Sequence, residues 1–372
     1  MEPMDKESES VGWAFRAAGL AAPEVMTFSV TGSCNVRCVH CWVGAGTPRS
    51  FGHVSTKTLF RIVDEFVGMG GRGVRITGGE PLCHPDWREI LQYVSGKQFE
   101  TVMLQTNAML IGDREARVLR ALNCPGLALQ VSLDGATAAT HDYVRGTGAY
   151  AGVMAGLQRL VDGGLGRTVS LAFTEMRHNI SEFPELLERA DSMGIGSVVA
   201  GTLVAFGRGA DERFVVPPLS GQYLELMQRY ESDARFRELY ARIGRMAALE
   251  WRLDGEARDI GCTFAAHPYL TPAGRLYPCL MCQADDYAVD GVLDKGLAQS
   301  MIEGISLWSA LAEISRRRRG IPECRNCPGK LVCAGGCMGR AWGSCGDLTV
   351  VDDRCGIRRI LYQRFKSATS ED

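Results

Sequence analysis

The sequence predicts an α/β fold, a partial (β/α)6 TIM-like barrel followed by a C-terminal cysteine-rich domain. Six apolar runs of strand length alternate with segments of helical spacing. Each run is nearly continuously apolar, which is typical of parallel strands that helices cover on both faces. Nine of the fourteen cysteines lie between residues 262 and 355, beyond the last of these strands.

The predicted strands are short and regularly spaced, at residues 26–31, 74–77, 101–105, 127–133, 169–173 and 198–204. The helical segments between them cover residues 55–69, 86–94, 114–122, 150–161 and 180–193. Right-handed crossovers curl such a sheet into a barrel whose chemistry lies at the carboxyl ends of the strands.

Shifts in composition divide the chain into four parts. Residues 1–24 are a leader segment, residues 25–216 the barrel, residues 217–258 a helical bridge and residues 259–372 the cysteine-rich domain. The pair Pro217-Pro218 marks the end of the barrel. Two short strands around a turn, within residues 269–277, form a hairpin that brings Cys279 beside Cys262.

Charge and hydropathy exclude several classes of partner. The 41 basic and 43 acidic residues give a formal charge of -2, so no overall field favours nucleic acid or an anionic membrane. No run of about 18 apolar residues and no signal peptide is found, which predicts a cytoplasmic protein. In such a protein clustered thiols bind metal more often than they form disulfides.

Cys34, Cys38 and Cys41 follow the first predicted strand within eight residues. Three thiolates leave one iron of a cubane cluster without a protein ligand, so that iron is open to another molecule. Two alternatives remain at this point. One is a zinc knuckle whose fourth ligand is His40 or His53, and the other is three unrelated core thiols.

Polar residues follow the next strands at the points where they end. Because the carboxyl ends of parallel strands meet at one edge, these residues are predicted to converge on one rim. They are Gly78, Gly79, Glu80, Asn107, Ser132, Asp134 and Glu175.

The spacing Cys-x3-Cys-x2-Cys, followed one strand later by Gly78-Gly79-Glu80-Pro81, resembles the signature of the radical S-adenosylmethionine (radical SAM) enzymes. His40 stands where the family usually has an aromatic residue. The resemblance implies a [4Fe-4S] cluster on the three cysteines, with S-adenosylmethionine chelating the open iron. It also implies that an electron from the cluster cleaves S-adenosylmethionine. The resulting 5'-deoxyadenosyl radical abstracts a hydrogen atom from the substrate.

The resemblance also implies roles for residues on the rim. Gly78, Gly79 and Glu80 match the motif that receives the cofactor's amino group, with glycines allowing close backbone approach. Ser132 matches a position that faces the cofactor, whereas Asp134 either faces it too or caps the next helix. For Asn107 and Arg145, contact with cofactor or substrate and a purely structural loop role both remain open.

The C-terminal cysteines resemble the seven-cysteine pattern of the SPASM domain, which implies two auxiliary [4Fe-4S] clusters and three clusters in all. One takes Cys262, Cys279 and Cys337, with Cys282 as the nearest fourth ligand and Cys345 as a second candidate. If no fourth cysteine binds, one iron of this cluster is open to substrate. The other cluster is held by Cys324, Cys327, Cys333 and Cys355. Cys83 and Cys124 are predicted to be structural thiols.

The leading hypothesis for function is a maturase that oxidatively modifies, for example cross-links, side chains of a ribosomal peptide or protein. Leu280 replaces the aspartate that sulfatase-oxidising relatives carry after the equivalent of Cys279, which disfavours that reaction. The barrel begins near residue 26, so a peptide substrate calls for a separate leader-recognition protein. The expected electron donor is a ferredoxin or flavodoxin.

Two other hypotheses remain open. The first is an enzyme of small-molecule or cofactor biosynthesis, which dehydrogenates an aminosugar or modifies a tetrapyrrole or metal cofactor. The second is a non-catalytic iron-sulfur scaffold, which would have no use for Gly78 to Glu80 or for a cluster with three protein ligands.

Overall fold

The computed structural model describes residues 6–46, 52–211, 213–250, 262, 264–317, 320–333 and 335–369. All four predicted parts of the chain therefore include residues outside the described ranges. These are residues 1–5 of the leader, 47–51 and 212 of the barrel, 251–258 of the bridge, and 259–261, 263, 318–319, 334 and 370–372 of the cysteine-rich domain.

The strands form one sheet in the order β7-β6-β5-β4-β3-β2-β1-β8-β9. Strands β1 to β7 are parallel, β8 is parallel to β1, and β9 returns antiparallel to β8. Their bounds are β1 Val25–Ser29, β2 Gly73–Thr77, β3 Thr101–Thr106, β4 Leu127–Ser132, β5 Val169–Glu175, β6 Ser197–Thr202, β7 Gly244–Met246, β8 Tyr269–Leu270 and β9 Leu276–Tyr277.

The six predicted strands are all present, which confirms the parallel α/β barrel. Two features of the sheet were not predicted. Strand β7 has only three residues inside a helical stretch, too few for a pattern of strand length. The predicted hairpin, β8 and β9, joins the barrel sheet through β1 rather than forming a sheet of its own.

Helices cover the sheet and connect its strands. In α2 the buried residues Leu59, Ile62, Val63 and Phe66 recur at helical spacing and face the core. The bounds are α1 Lys6–Ala17, α2 Thr56–Gly68, α3 Trp87–Ser95, α4 Asp113–Ala121, α5 Ala138–Arg145, α6 Ala149–Asp162, α7 Phe183–Ser192, α8 Ser220–Ser232, α9 Ala234–Ile243, α10 Ala247–Glu250, α11 Val292–Lys295, α12 Leu297–Arg317, α13 Lys330–Cys333, α14 Met338–Cys345 and α15 Cys355–Thr369.

The N-terminal helix packs against α12 of the cysteine-rich part. Within the predicted leader, α1 buries Val11 and Phe15, and the Phe15 ring meets the Trp308 ring of α12 edge-on at 5.8 Å. No helix in the described part of the chain combines the length and the apolar character that crossing a membrane requires.

Candidate active site

The three N-terminal cysteines lie in the loop after β1, at the carboxyl end of the parallel sheet. They line a cavity of about 260 Å³. All the other residues predicted from the sequence to bind the cofactor line the same cavity: His40, Gly78, Gly79, Glu80, Asn107, Ser132 and Arg145. The structure therefore brings the whole predicted set together.

Gly78 and Gly79 hold the cysteine loop against the end of β2. The Gly79 amide donates to the Thr31 carbonyl at 2.7 Å. A Cβ atom would lie 2.5 Å from the Thr31 oxygen at Gly78 and 2.2 Å from the Ser33 oxygen at Gly79. Glycine is thus required here by close approach of the cysteine loop itself, whereas the sequence suggested the cofactor as the reason.

Glu80 is a buried carboxylate with part of its acceptor capacity left over. It is 1% exposed, and it accepts from the Thr106 hydroxyl at 2.7 Å, the Asn107 amide at 2.7 Å and the Leu82 amide at 3.2 Å. Burial raises its pKa, and these three hydrogen bonds oppose that rise. A carboxylate has about four acceptor sites, so one remains for an ammonium group, which would favour the charged form.

Asp134 is the centre of a buried network behind the cysteine loop. Its carboxylate is fully buried and lies 2.6 Å from Arg145 Nε and 3.3 Å from His40 Nε2. Burial opposes its ionisation, yet Arg145 and His40 hold the pKa of Asp134 well below its usual value. The alternative role as a helix cap is wrong, because Thr137 caps α5 by accepting from the Thr140 amide.

Arg145 and Asn107 support the cysteine loop as well as lining the cavity. Arg145 Nη1 lies 3.9 Å from Cys38 Sγ, so its positive charge faces a predicted cluster ligand. Asn107 Nδ2 donates to Asn35 Oδ1 at 2.8 Å, directly beside Cys34. Both side chains are therefore placed to fix the loop geometry.

Arg208 was missed by the sequence reasoning. Its Nε donates to the Cys38 carbonyl at 2.8 Å and its Nη1 to the Ala45 carbonyl at 2.9 Å, which clamps the cysteine loop from the far side. At Gly207 a Cβ would lie 2.5 Å from the Trp42 oxygen. The signal that could have found it is a cation between two glycines shortly after the sixth strand.

Two inward-facing glutamines were also missed. Gln105 Nε2 donates to Gln130 Oε1 at 2.5 Å, and both side chains line the cavity from the carboxyl halves of β3 and β4. A polar residue inside an otherwise apolar strand was the available signal.

The three thiols fit an iron-sulfur cluster better than a zinc ion. His40 contacts Asp134, and His53 Nδ1 lies 2.9 Å from the Thr31 hydroxyl, so both candidate fourth ligands of a zinc knuckle have other partners. Among the described residues, no three His, Cys, Asp or Glu side chains are grouped to hold a single metal ion. Thiolates of a cubane each bond a different iron and need not meet at one point.

Burial raises the pKa of the Cys34 thiol to about 12 and also raises that of Cys38. These thiols therefore ionise in place only with a strong positive charge beside them. Bound iron would supply such a charge.

The sequence predicts two groups of C-terminal cysteines. We call Cys262, Cys279, Cys282 and Cys337 the hairpin thiols. Burial raises the pKa of Cys279 to about 12, and charge interaction with the other three hairpin thiols adds to this. The structure thus places Cys282 with the three cysteines that lacked a fourth partner, whereas Cys345 is exposed at the end of α14.

The second group, which we call the tail thiols, comprises Cys324, Cys327, Cys333 and Cys355. The Cys327 amide donates to the Cys324 carbonyl at 3.1 Å, and Arg358 Nη1 lies 3.0 Å from Cys333 Sγ. Burial raises the pKa of Cys355, and Cys333 contributes to the rise. Cys333 and Cys355 are therefore close enough to interact, and the Arg358 cation faces Cys333. The assignment of all four tail thiols to one cluster stays a prediction.

The cysteine-rich part is docked on the barrel by buried arginines. Arg340 of α14 donates to the Leu203 carbonyl at 2.8 Å, just beyond β6. Arg354 pairs with the fully buried Glu175 at the end of β5. Leu280, between two hairpin thiols, lines the cavity that holds Cys34, Cys38 and Cys41.

Comparison with known proteins identifies the family. The sequence profile of the Radical SAM superfamily matches residues 28–190. Mycofactocin maturase MftC of Mycobacterium ulcerans is 30% identical over 86% of this chain and 84% of its own length. The AdoMet-dependent heme synthase of Methanosarcina barkeri is 28% identical over 91% of this chain and 97% of its own length.

Among solved structures, Streptococcus suis SuiB bound to precursor peptide SuiA superposes with a TM-score of 0.73 at 15% identity, covering 93% of this chain and 79% of that chain. The fold is therefore shared with that protein. These findings confirm the resemblance that the cysteine motifs carry. The chain belongs to the radical SAM superfamily, with a C-terminal SPASM domain, and is an enzyme that uses S-adenosylmethionine and a [4Fe-4S] cluster.

Proposed function

We propose that this enzyme is a maturase that oxidises, for example cross-links, side chains of a ribosomal peptide or protein. The observation that carries the proposal is the position of Leu280. It lies between Cys279 and Cys282 and lines the catalytic cavity, so a second redox centre would sit beside the reacting group. An oxidation must dispose of an electron from the substrate, and an auxiliary cluster on Cys279 and Cys282 would provide an acceptor next to the cavity.

The chain's own residues account for binding the cofactor. When bound at Cys34, Cys38 and Cys41, the cluster and S-adenosylmethionine supply the 5'-deoxyadenosyl radical that abstracts hydrogen. The remaining acceptor site of Glu80 receives the cofactor's ammonium group, and Ser132 offers a hydroxyl from the end of β4. Gly78, Gly79, His40, Asn107 and Arg145 fix the loop that carries the cluster.

The two groups of C-terminal thiols would each hold an auxiliary [4Fe-4S] cluster. The hairpin thiols supply four ligands if Cys282 completes the set, and the tail thiols supply four more. Buried thiols that share one site repel each other as thiolates, and iron removes that penalty. With the catalytic cluster this makes three clusters and about twelve irons per chain.

The proposed partners follow from the same reading. A relative named a maturase aligns along most of the chain, and a protein of the same fold binds a precursor peptide. A ferredoxin or flavodoxin would reduce the catalytic cluster, and a separate protein would recognise a leader peptide. The reaction would take place in the cytoplasm.

A second candidate is an enzyme of cofactor biosynthesis that modifies a tetrapyrrole. The observation that favours it is the similarity to a heme synthase over 91% of this chain. Leu280, which lines the cavity, does not distinguish a peptide from a tetrapyrrole, because its apolar side chain supplies no acid or base for either reaction.

The experiment that separates the two candidates uses enzyme reconstituted anaerobically with iron and sulfide. Short peptides encoded beside the gene, and separately coproporphyrin-type tetrapyrroles, are incubated with enzyme, S-adenosylmethionine and a reductant. If the enzyme is a maturase, we expect a peptide to lose the mass of two hydrogen atoms while 5'-deoxyadenosine accumulates. Turnover of the tetrapyrrole alone would reject the maturase in favour of the second candidate.

A further inference from the structure

Three aromatic rings connect the loop of the catalytic cysteines to the hairpin thiols. Trp42 directly follows Cys41, and its ring centroid lies 5.9 Å from that of Tyr269 in β8. The Tyr269 ring is 6.4 Å from the Tyr277 ring, with only 20° between their planes. Tyr277 in turn precedes Cys279 by two residues. The series therefore begins and ends next to a predicted cluster ligand.

The backbone fixes the order of the three rings. Tyr269 pairs with Thr27 of β1 on one side and with Tyr277 of β9 on the other, so both tyrosines are held in the sheet register. Trp42 is held through its carbonyl, which packs against Gly207. A one-residue shift of the hairpin would turn both tyrosines to the opposite face, so this register is specific.

The three rings border two cavities. Tyr269 and Tyr277 are buried, at 2% and 5% exposed. Trp42 and Tyr269 line the catalytic cavity, and all three rings line an adjoining cavity of about 500 Å³. A packing role alone does not explain aromatic residues along the boundary of two cavities.

We propose that Trp42, Tyr269 and Tyr277 form an electron-tunnelling bridge between the catalytic cluster and the cluster on the hairpin thiols. This inference rests on the proposed function, because it needs the auxiliary cluster as one end. One electron leaves the reduced auxiliary cluster, which is oxidised, and enters the oxidised catalytic cluster, which is reduced. No proton moves and no bond forms or breaks.

The physical reason is the electronic structure of the rings. Tunnelling through π systems in near contact falls off less steeply with distance than tunnelling through saturated side chains or across a cavity. The rings are not themselves oxidised, since their potentials lie far above those of iron-sulfur clusters. They raise the electronic coupling and so return an electron taken from substrate to the site where the next turnover needs it.

The test follows electron exchange in the iron-loaded, full-length enzyme rather than turnover. A light flash with a photoreductant delivers less than one electron per chain. Samples frozen at intervals are then measured by electron paramagnetic resonance, which reports the reduced fraction of each cluster. The variants are Tyr269→Leu and Trp42→Leu, with Tyr269→Phe retaining the ring and Tyr93→Leu as matched control. Tyr93 stacks on Phe60 at 3.7 Å on the outer helices and lines neither of the two cavities.

We expect both leucine variants to equilibrate several-fold more slowly than wild type, with Tyr269→Phe and Tyr93→Leu unchanged. Equal rates in all variants with full iron content would overturn the bridge and leave the maturase proposal intact. Slowing by Tyr269→Leu alone would also overturn it, because the Trp42 ring would then play no part. An iron content near four per chain in wild type would reject the auxiliary clusters and the bridge with them.

Discussion

The barrel and the cysteine-rich part of this enzyme are stabilised in different ways. In the barrel, long strands and helices bury large apolar side chains such as Phe28, Phe66 and Phe173. In the cysteine-rich part the strands have two residues each, and the buried residues include Arg340, Arg354 and Arg358. Long regular elements allow stability to come from buried area, whereas short ones depend on point interactions between charges and, on our proposal, on iron.

The barrel also buries charged side chains. Buried charges there are concentrated at the carboxyl rim, where Glu80, Asp134 and Arg145 surround the cysteine loop. Charge is therefore buried in this molecule where a cofactor binds or where the two parts meet. The predictions below test that distinction, from the largest expected effect to the smallest.

Replacing Cys34, Cys38 and Cys41 together by Ala should abolish reductive cleavage of S-adenosylmethionine, because no other ligands remain for the catalytic cluster. Formation of 5'-deoxyadenosine, measured by liquid chromatography, should vanish and about four irons should be lost. The matched control is Cys124→Ala, a half-buried thiol outside all three groups. Continued cleavage by the triple variant would refute the assignment of the catalytic cysteines.

Removing the iron with a chelator should unfold the cysteine-rich part and leave the barrel folded. Metal-thiolate bonds contribute folding free energy directly. Between α12 and α15 the elements of this part are short, and the hairpin strands have two residues each. Hydrogen exchange measured by mass spectrometry should show lost protection in the hairpin and in residues 320–355, with retained protection in β1 to β6. Equal loss in both regions would mean that the barrel and the cysteine-rich part unfold as one unit.

Arg354→Met should lower the free energy of unfolding by about 3–5 kcal/mol, since it leaves the fully buried Glu175 without its ion-pair partner. The comparison is Arg275→Met, which removes a partly exposed ion pair with Asp290 and should cost about 1 kcal/mol or less. Denaturant unfolding of iron-loaded protein measures both. Similar losses for the two variants would contradict the idea that buried arginines dock the cysteine-rich part.

Glu80→Gln should weaken binding of S-adenosylmethionine by about 1.5–3 kcal/mol, or roughly tenfold to a hundredfold in Kd, because it removes a charge-assisted hydrogen bond. Isothermal titration with iron-loaded enzyme measures this. Glu65→Gln is the matched control, since Glu65 also accepts backbone amides, from Leu297 and Ala298, but lies away from the cavity. Unchanged affinity in Glu80→Gln would remove Glu80 from the cofactor site.

The pH dependence of the same binding provides the weakest but most specific signal. Burial raises the pKa of Glu80, so its carboxylate takes up a proton at higher pH than an exposed glutamate does. Affinity for the cationic cofactor should therefore fall as pH is lowered through that raised pKa, and Glu80→Gln should lose this dependence. The same pH profile in wild type and Glu80→Gln would show that another group controls binding.

Local patterns in the sequence were sufficient for the barrel strands, the cysteine loop and the rim. Alternation of apolar runs with helical spacing is a property of neighbouring residues, as are the spacing of Cys34, Cys38 and Cys41 and the pair Gly78-Gly79. Residue type at those positions already restricts the chemistry. The family assignment could be made on that basis before any coordinates.

Other features depended on contacts between residues far apart in the chain. Arg208 meets Cys38, Arg354 meets Glu175, and Tyr269 meets Trp42 only because the sheet places them side by side. Strand β7 has too few residues for a detectable pattern. By itself the sequence determined which groups are available for chemistry, since that follows from residue type and local spacing. Tertiary structure alone decided which of them touch, because such contacts are set by the packing of the whole sheet.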